Sequence, residues 1–322
     1  MNIKKYEAFI RAVELGSLSK AAEELGYTQS GISHMMQSLE EEVGFPLLVR
    51  TSSGILPNAE GETLLPAIRR LLRTNDALAQ TIAQIKGADS GRVRVIAFSS
   101  AAACWLPEVI CRFQRDFPHV EVMLREADGD TIDAVMEAHE ADLCLDAGGA
   151  TRSVEWLPLC RDQLMAVLPK GHRLARERAV SLEALQQERL LLPLKGYGRA
   201  AHQMLDRLSG NPAVRFIACS DYTILSMVEA GLGISILPEL LLEHTADRVV
   251  SLPLEPAQYR TLGMGMPCRN TASPAVRNFA AYVQVYVREL DGGQCCGAQM
   301  DEIYRECGDE GLGAVDRRKP TL

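Results

Sequence analysis

Three glycines, Gly16, Gly26 and Gly44, each halt an apolar helical repeat near the start of the chain, and that punctuation constrains the fold more than any other feature. Before Gly16, the residues Ile3, Tyr6, Phe9, Ile10 and Val13 recur at helical spacing. Between Gly16 and Gly26 a second helix fits Lys20 to Leu25, with Ser17 or Ser19 as its cap. Thr28 then stands at an N-cap position ahead of a third helix that turns Ile32, Met35 or Met36, Leu39 and Val43 inward. Helices this short are marginal alone and must bury their stripes against one another. Three of them, the second pair joined by a tight turn, form a helix-turn-helix pattern.

Downstream, FPLLVR (45–50), the turn TSSG (51–54) and ILPN (55–58) predict a small β-hairpin, a wing. A long helical stretch follows from Ala59 to Gly87. Leu64, Leu65, Ile68, Leu71, Leu72, Leu78, Ile82 and Ile85 form a continuous stripe along it, and Pro66 lies in its second turn. Such a stripe needs a partner, and the simplest is its copy in a second subunit. GADSG (87–91) reads as a linker.

Beyond the linker the pattern changes. Strands are expected at 92–100, 120–127, 141–148, 190–194, 214–220, 234–238 and 260–267. Between them fall helices at 104–117, 131–139, about 199–208 and 221–233, with a last one from Pro274 to Leu290. Alternation of this kind specifies parallel-sheet α/β architecture. Two sheet units are expected, joined by extended crossings near 159–169 and 260–268, and ligands bind such units in the crevice at the strands' carboxyl ends. The expected organisation is a DNA-binding head over 1–58, a linker and dimerisation helix with hinge over 59–90, and an α/β half over 91–290. Within that half, one subdomain takes about 91–160 and 268–290, the other about 161–267. The glycine-rich remainder, 291–322, reads as disordered, with a short helix around 298–306.

Charge argues against indiscriminate nucleic-acid binding. The chain carries a net −8, and residues 1–58 hold five basic residues against seven glutamates, net −2. No Lys or Arg occurs between Lys20 and Arg50. The third helix instead offers Gln29, Ser30, Ser33, His34 and Gln37 on one face. Glutamine amides pair bidentately with adenine edges, and serine hydroxyls reach a base or a phosphate. Backbone N–H groups near Ser19 and Thr28 can donate to phosphates without side-chain charge. Lys20 and Arg50 flank the helix as phosphate clamps, with Thr51 and Ser52 on the wing and Lys4 and Lys5 nearby. Glu40, Glu41 and Glu42 fall at the far end, pointing away from a duplex. On spacing alone, a solvated polar face remains the alternative.

The stretch FIRAVELGSLSKAAEELGYTQSGISHMMQSLEEEVGFPLLVRTSSGILPNAEGE (9–62) resembles the N-terminal half of LysR-type transcriptional regulators. The combination of Ala21-Ala22, Thr28-Gln29-Ser30, Ile32-Ser33, Leu39-Glu40, Gly44, Leu47-Leu48 and Arg50-Thr51 carries the resemblance. The second half is similar to their effector domain through Ser99-Ser100, Leu106-Pro107, Ala141-Asp142-Leu143 and the run Val228 to Ile234 before Leu237-Pro238. The resemblance implies a winged helix-turn-helix that binds double-stranded promoter DNA, and an effector domain like that of periplasmic binding proteins. It further implies a homodimer through the linker helix, often a dimer of dimers, and a small-molecule effector held between the subdomains. His34 stands where the family usually has Arg, and Gly31 where Ala is common. Few cationic contacts predict a shallow salt dependence per subunit, with oligomerisation supplying avidity.

At the expected mouth of the crevice lie Ser99 and Ser100, Asp128, Asp146-Ala147-Gly148, KGYG (195–198) with Tyr197, and Asp221-Tyr222. Hydroxyls and N–H groups at Ser99 and Ser100 favour an anion, whereas paired acids disfavour a simple carboxylate and suit an amine or hydroxyl-bearing ligand. Each acid is equally readable as a helix cap, Asp221 above all.

Enzymes are the rival class. No GxSxG elbow, phosphate loop or GxGxxG occurs, and His139, His172, His202 and His244 lack triad or metal spacing. Catalytic residues, metal ligands and cofactors are therefore not expected. A solute-binding protein is a second rival, disfavoured by the DNA-binding pattern and by the absence of a signal-peptide pattern. Six cysteines are scattered singly among apolar residues and read as core. Cys295, Cys296 and Cys307 lie in the polar tail and leave a redox or metal role open. No apolar run approaches the roughly 18 residues of a membrane helix, and a cytoplasmic protein is expected.

Overall fold

The computed structural model describes residues 2–52, 54–85, 90–147, 154–206, 214–218, 220–242 and 248–291. The expectations for the tail after Asp291, including its three cysteines, fall outside the described residues.

The head follows the glycine punctuation. Helices α1 (Ile3–Leu15), α2 (Leu18–Leu25) and α3 (Gln29–Val43) end on Gly16, Gly26 and Gly44, whose φ values of 60°, 70° and 90° are left-handed. Ser17, not Ser19, caps α2 by accepting from the Lys20 N–H, so the helix starts earlier than expected and Ser19 lies in its first turn. Phe9, Ile32 and Leu39 are fully buried, and the three stripes close one core with Ala8, Ile10, Met36 and Leu47.

Strands β1 (Leu48–Thr51) and β2 (Gly54–Pro57) form the antiparallel wing, with Val49 opposite Leu56. The wing is fastened at both ends. Ile55 N–H donates to Gly16 O at 2.9 Å, and a Cβ on Gly54 would lie 2.4 Å from that same oxygen. Asn58 accepts from Gly61 N–H at 2.8 Å and donates through Nδ2 to Pro46 O at 2.9 Å, capping the next helix while holding the wing's entry.

That helix, α4 (Ala59–Ile85), runs through Pro66 without ending. The continuous stripe expected for a partner divides. Leu64, Leu65, Ile68 and Leu72 pack on the head's own core, whereas Leu78, Ile82 and Ile85 are exposed.

The α/β half contributes to two compact units. The first joins the head and α4 to β3 (Ser90–Ala97), α5 (Ser99–Cys104), α6 (Leu106–Asp116), β4 (His119–Glu126), α7 (Gly129–Glu137) and most of β5 (Leu143–Asp146), with residues 265–282. There β3 pairs in parallel with β4 on one side and β5 on the other. The single helix expected over 104–117 is broken at Trp105. Pro107 has no N–H to continue the preceding turn, so the chain restarts with proline near the head of α6. β3 ends at Ala97, short of the expected 100, and Ser99 and Ser100 open the helix that follows it, as expected for the start of that helix.

The second unit holds most of β6 (Glu155–Leu168), then β7 (Val180–Ser181), α8 (Leu182–Gln186), β8 (Leu190–Pro193), α9 (Arg199–Asp206), β9 (Val214–Ala218), α10 (Asp221–Glu229), β10 (Ile234–Pro238) and α11 (Glu239–Leu242). β11 (Val250–Met266) begins in this unit and ends in the other, and α12 (Pro274–Asp291) spans the boundary in sequence. β8 pairs in parallel with β9 and β10, but β6 runs antiparallel to β10. The sheet is mixed and not wholly parallel: a crossing strand lacks the helical crossover that fixes parallel direction. Among the described residues no helix is long and apolar enough to cross a membrane.

Candidate nucleic-acid interface and effector site

Helix α3 is held from beneath by Ile32, Met36 and Leu39, which leaves Gln29, Ser30, His34 and Gln37 exposed and Ser33 half-buried. Thr28 caps it by accepting from Gly31 N–H at 3.1 Å, and its hydroxyl is also 3.1 Å from that of Ser30. A Cβ on Gly31 would sit 3.1 Å from the Thr28 hydroxyl, so an alanine here would need that side chain to give by a few tenths of an ångström. Ser19 and Lys20 are exposed on α2, and Arg50 on β1. Thr51 Oγ1 donates to Gly54 O at 3.1 Å, so its proton closes the wing's turn.

The acidic run after the polar face has three separate roles. Glu40 accepts from the N–H groups of Leu47 and Leu48, at 2.7 and 3.2 Å, and so ties α3 to the wing. Glu41 accepts from Gln37 Nε2 at 3.0 Å, one turn back. Glu42 pairs with Lys5 at 3.1 Å, and that hydrogen bond holds its carboxyl below the usual range. Lys5 also donates to the Ser38 hydroxyl at 2.9 Å. It braces α1 against α3 and is not a spare phosphate clamp. Of the cations named above, Lys4, Lys20 and Arg50 are exposed and without a side-chain partner among the described residues.

The effector candidates separate by unit. In the first, Ser99 is buried and donates to Glu126 Oε1 at 2.6 Å, so its proton is directed to a carboxylate rather than to an anionic ligand. Ser100 is buried beside it. Asp128 caps α7, accepting from Thr131 N–H at 2.8 Å.

In the second unit, Asp146 is buried and pairs with Arg199 at 3.9 Å. Asp221 is buried as the first residue of α10; the cap position belongs to Ser220. Ala147 and Tyr197 are half-buried, and Tyr222 is exposed. Arg199 was not singled out in the sequence. Its only signal was a cation directly after KGYG at the head of a helix, which no spacing rule marks.

A capped helix bearing amides and hydroxyls above a buried apolar stripe, flanked by a braced wing and followed by an α/β half, defines a winged-helix DNA-binding regulator with a ligand-binding module. Residues 3–62 match the bacterial regulatory helix-turn-helix protein, lysR family, and residues 86–287 match the LysR substrate binding domain. The chain belongs to the LysR family of transcriptional regulators. It is 28% identical over 285 residues to the uncharacterized HTH-type transcriptional regulator YvbU of Bacillus subtilis, covering 87% of this chain and 96% of that one. It is 30% identical over 250 residues to the HTH-type transcriptional regulator IlvR of Caulobacter vibrioides, covering 75% and 83%. The structure of a full-length OxyR variant from Pseudomonas aeruginosa matches with a TM-score of 0.74 at 19% identity, covering 89% and 95% of the two chains, a likeness of fold.

Proposed function

We propose that this regulator reads its operator mainly through uncharged groups of α3 and draws little affinity from cations. Gln29, Ser33, His34 and Gln37 face base edges in the major groove, Ser19, Ser30 and the capped ends at Ser17 and Thr28 meet phosphates, and Lys20, Arg50 and Thr51 flank them. The observation that carries this reading is the exposed amide and hydroxyl face of a helix whose opposite side is fully buried. Division at 58 and 90 into head, linker helix and effector half accompanies it. The exposed Leu78, Ile82 and Ile85 of α4 serve a homodimer, and dimers pair to supply avidity.

The effector is a small molecule, and each unit brings its own candidate contacts: Asp146, Ala147, Tyr197, Asp221 and Tyr222 in the second, and Ser99, Ser100 and Asp128 in the first. Buried acids there favour a ligand that offers an amine or hydroxyls. The reading assigns the chain no catalysis, no metal and a cytoplasmic place of action.

In vitro selection from random duplexes with the full-length protein tests the proposal. A short sequence should be enriched by the native protein, and Gln29→Ala should flatten the preference at one or two positions while retaining general affinity. No enrichment at any salt concentration would overturn it.

A further inference from the structure

Past Ile68, no described residue of α4 is buried; Leu71, Leu72, Ala77 and Ala83 are half-buried, and Leu78, Ile82 and Ile85 are exposed. What joins this part of the helix to the α/β half is charge. Arg69 and Arg73, one turn apart, reach Glu140 at 2.9 Å and Asp142 at 2.7 Å, and Arg73 also donates to the carbonyl of Ala141. Asp142 receives the backbone N–H of Arg94 at 2.9 Å and its Nε at 3.1 Å. Arg94 in turn lies 4.0 Å from Asp76, further along α4. Burial alone would raise the Asp142 carboxyl, but Arg73 and Arg94 outweigh it and keep the group below its ordinary value, hence charged.

The cluster is incompletely bonded. Nε of Arg69, Nε of Arg73, Oε1 of Gln80 and Nδ1 of His139 are all buried without a hydrogen-bond partner. Gln80 packs on β3, where a Cβ on Gly91 would lie 2.7 Å from its Oε1, and His139 sits in the field of Arg73 and Arg70. Four of the five such atoms among the described residues thus gather at one junction. The other buried ion pair provides the contrast. Asp162 accepts from Arg260 at 2.8 and 2.6 Å and from Leu240 N–H at 3.1 Å, and neither side chain leaves a buried atom unpaired.

Apolar burial is non-directional and yields gradually as surfaces slide. A buried charge pair is strongly directional, and an incompletely bonded one gains less from staying closed. A junction made mainly of the second favours two states, docked and released, with little between. We propose that the Arg69–Glu140 and Arg73–Asp142–Arg94 cluster is a releasable latch between the linker helix and the effector half.

Asp142 immediately precedes β5, and Asp146 ends the same fully buried strand. The latch and the candidate effector acid therefore lie at opposite ends of one short segment, Asp142 just before the four-residue strand and Asp146 at its last position. The regulatory use of the latch rests on the effector reading above; its opening by salt does not.

Hydrogen–deuterium exchange on the full-length protein tests the latch directly. Raising salt from about 0.1 M to about 1 M shortens the Debye length from about 10 Å to about 3 Å and should weaken the partly exposed Arg69–Glu140 and Arg94–Asp76 contacts first. Exchange over 69–85 should then rise about threefold or more, with α3, β3 and β5 unchanged. Arg73→Met should raise exchange in the same segment about tenfold at low salt and remove most of the salt response. Glu140→Gln, on the more exposed outer pair, provides a milder variant should Arg73→Met fail to fold, and should act in the same direction. Salt-insensitive exchange over 69–85 in the native protein, or β3 and β5 accelerating together with α4, would overturn the proposal.

Discussion

Replacing Glu40 with alanine should free the wing's first strand from α3. One carboxylate oxygen accepts from both Leu47 and Leu48 N–H, at 2.7 and 3.2 Å, and the Leu47 side chain is fully buried in the head. Hydrogen bonds to charged groups contribute about 1.5–3 kcal/mol each, the shorter bond here dominates, and water replaces part of the longer one, which gives about 2 kcal/mol in total. At 1.4 kcal/mol per factor of ten, the two amides should exchange about 30-fold faster. Glu40→Gln keeps a carbonyl acceptor without its charge and should show about half that free energy, near fivefold. Glu41→Ala removes a neighbouring charge that touches neither amide and should leave both unchanged. Exchange resolved to single residues on the intact protein is the measurement. Unaltered Leu47 and Leu48 amides in Glu40→Ala would refute the claim that this carboxylate fastens the wing.

Arg50→Ala should weaken binding to all duplexes alike and reduce the salt slope by about one unit, measured by titration at several salt concentrations. Asp162→Ala removes the carboxylate to which the buried Arg260 donates and should lower stability by about 3–5 kcal/mol, whereas joint replacement by Leu and Met should largely restore it in urea unfolding. Burial, and then the bond to Asp116, raises the Tyr282 hydroxyl above its ordinary value, which favours the neutral phenol in the folded state. The stabilisation is complete below about pH 10 and is lost as pH climbs past the unfolded value, so the difference in urea midpoint between native protein and Tyr282→Phe should shrink above that pH.

Local rules were readable in the sequence wherever they need only neighbours. Glycine stops, the Thr28 cap and the wing's turn follow from residues a few positions apart, and they hold. Pro107 carried the break at Trp105 equally plainly, but the apolar spacing of Leu106, Val109, Ile110 and Phe113 masked it. Partners distant in sequence were illegible. Glu42 meets Lys5 across the helical head, and Glu40 meets amides of the following strand, so the acidic run read only as pointing away from a duplex although these carboxylates brace α1, α3 and the wing. Half of the α4 stripe looked like a dimer seam because its true neighbour, the head's own core, is assembled only by folding. In the effector half, Asp128 had the spacing of a cap to Thr131, whereas nothing local linked Asp146 to Arg199.

The close approach of Gly54 to Gly16 O, which shapes the wing, should also leave its mark on the heat of DNA binding. A hairpin clamped to the end of α1 at one side and to Asn58 at the other has little freedom left to surrender when it meets a duplex. Association by such a head is expected to be rigid docking, with a heat-capacity change set by the apolar area covered and no added contribution from ordering the wing. A side chain at position 54 would displace the hairpin, and the cost would then appear in calorimetry as the signature of a segment that folds only on contact.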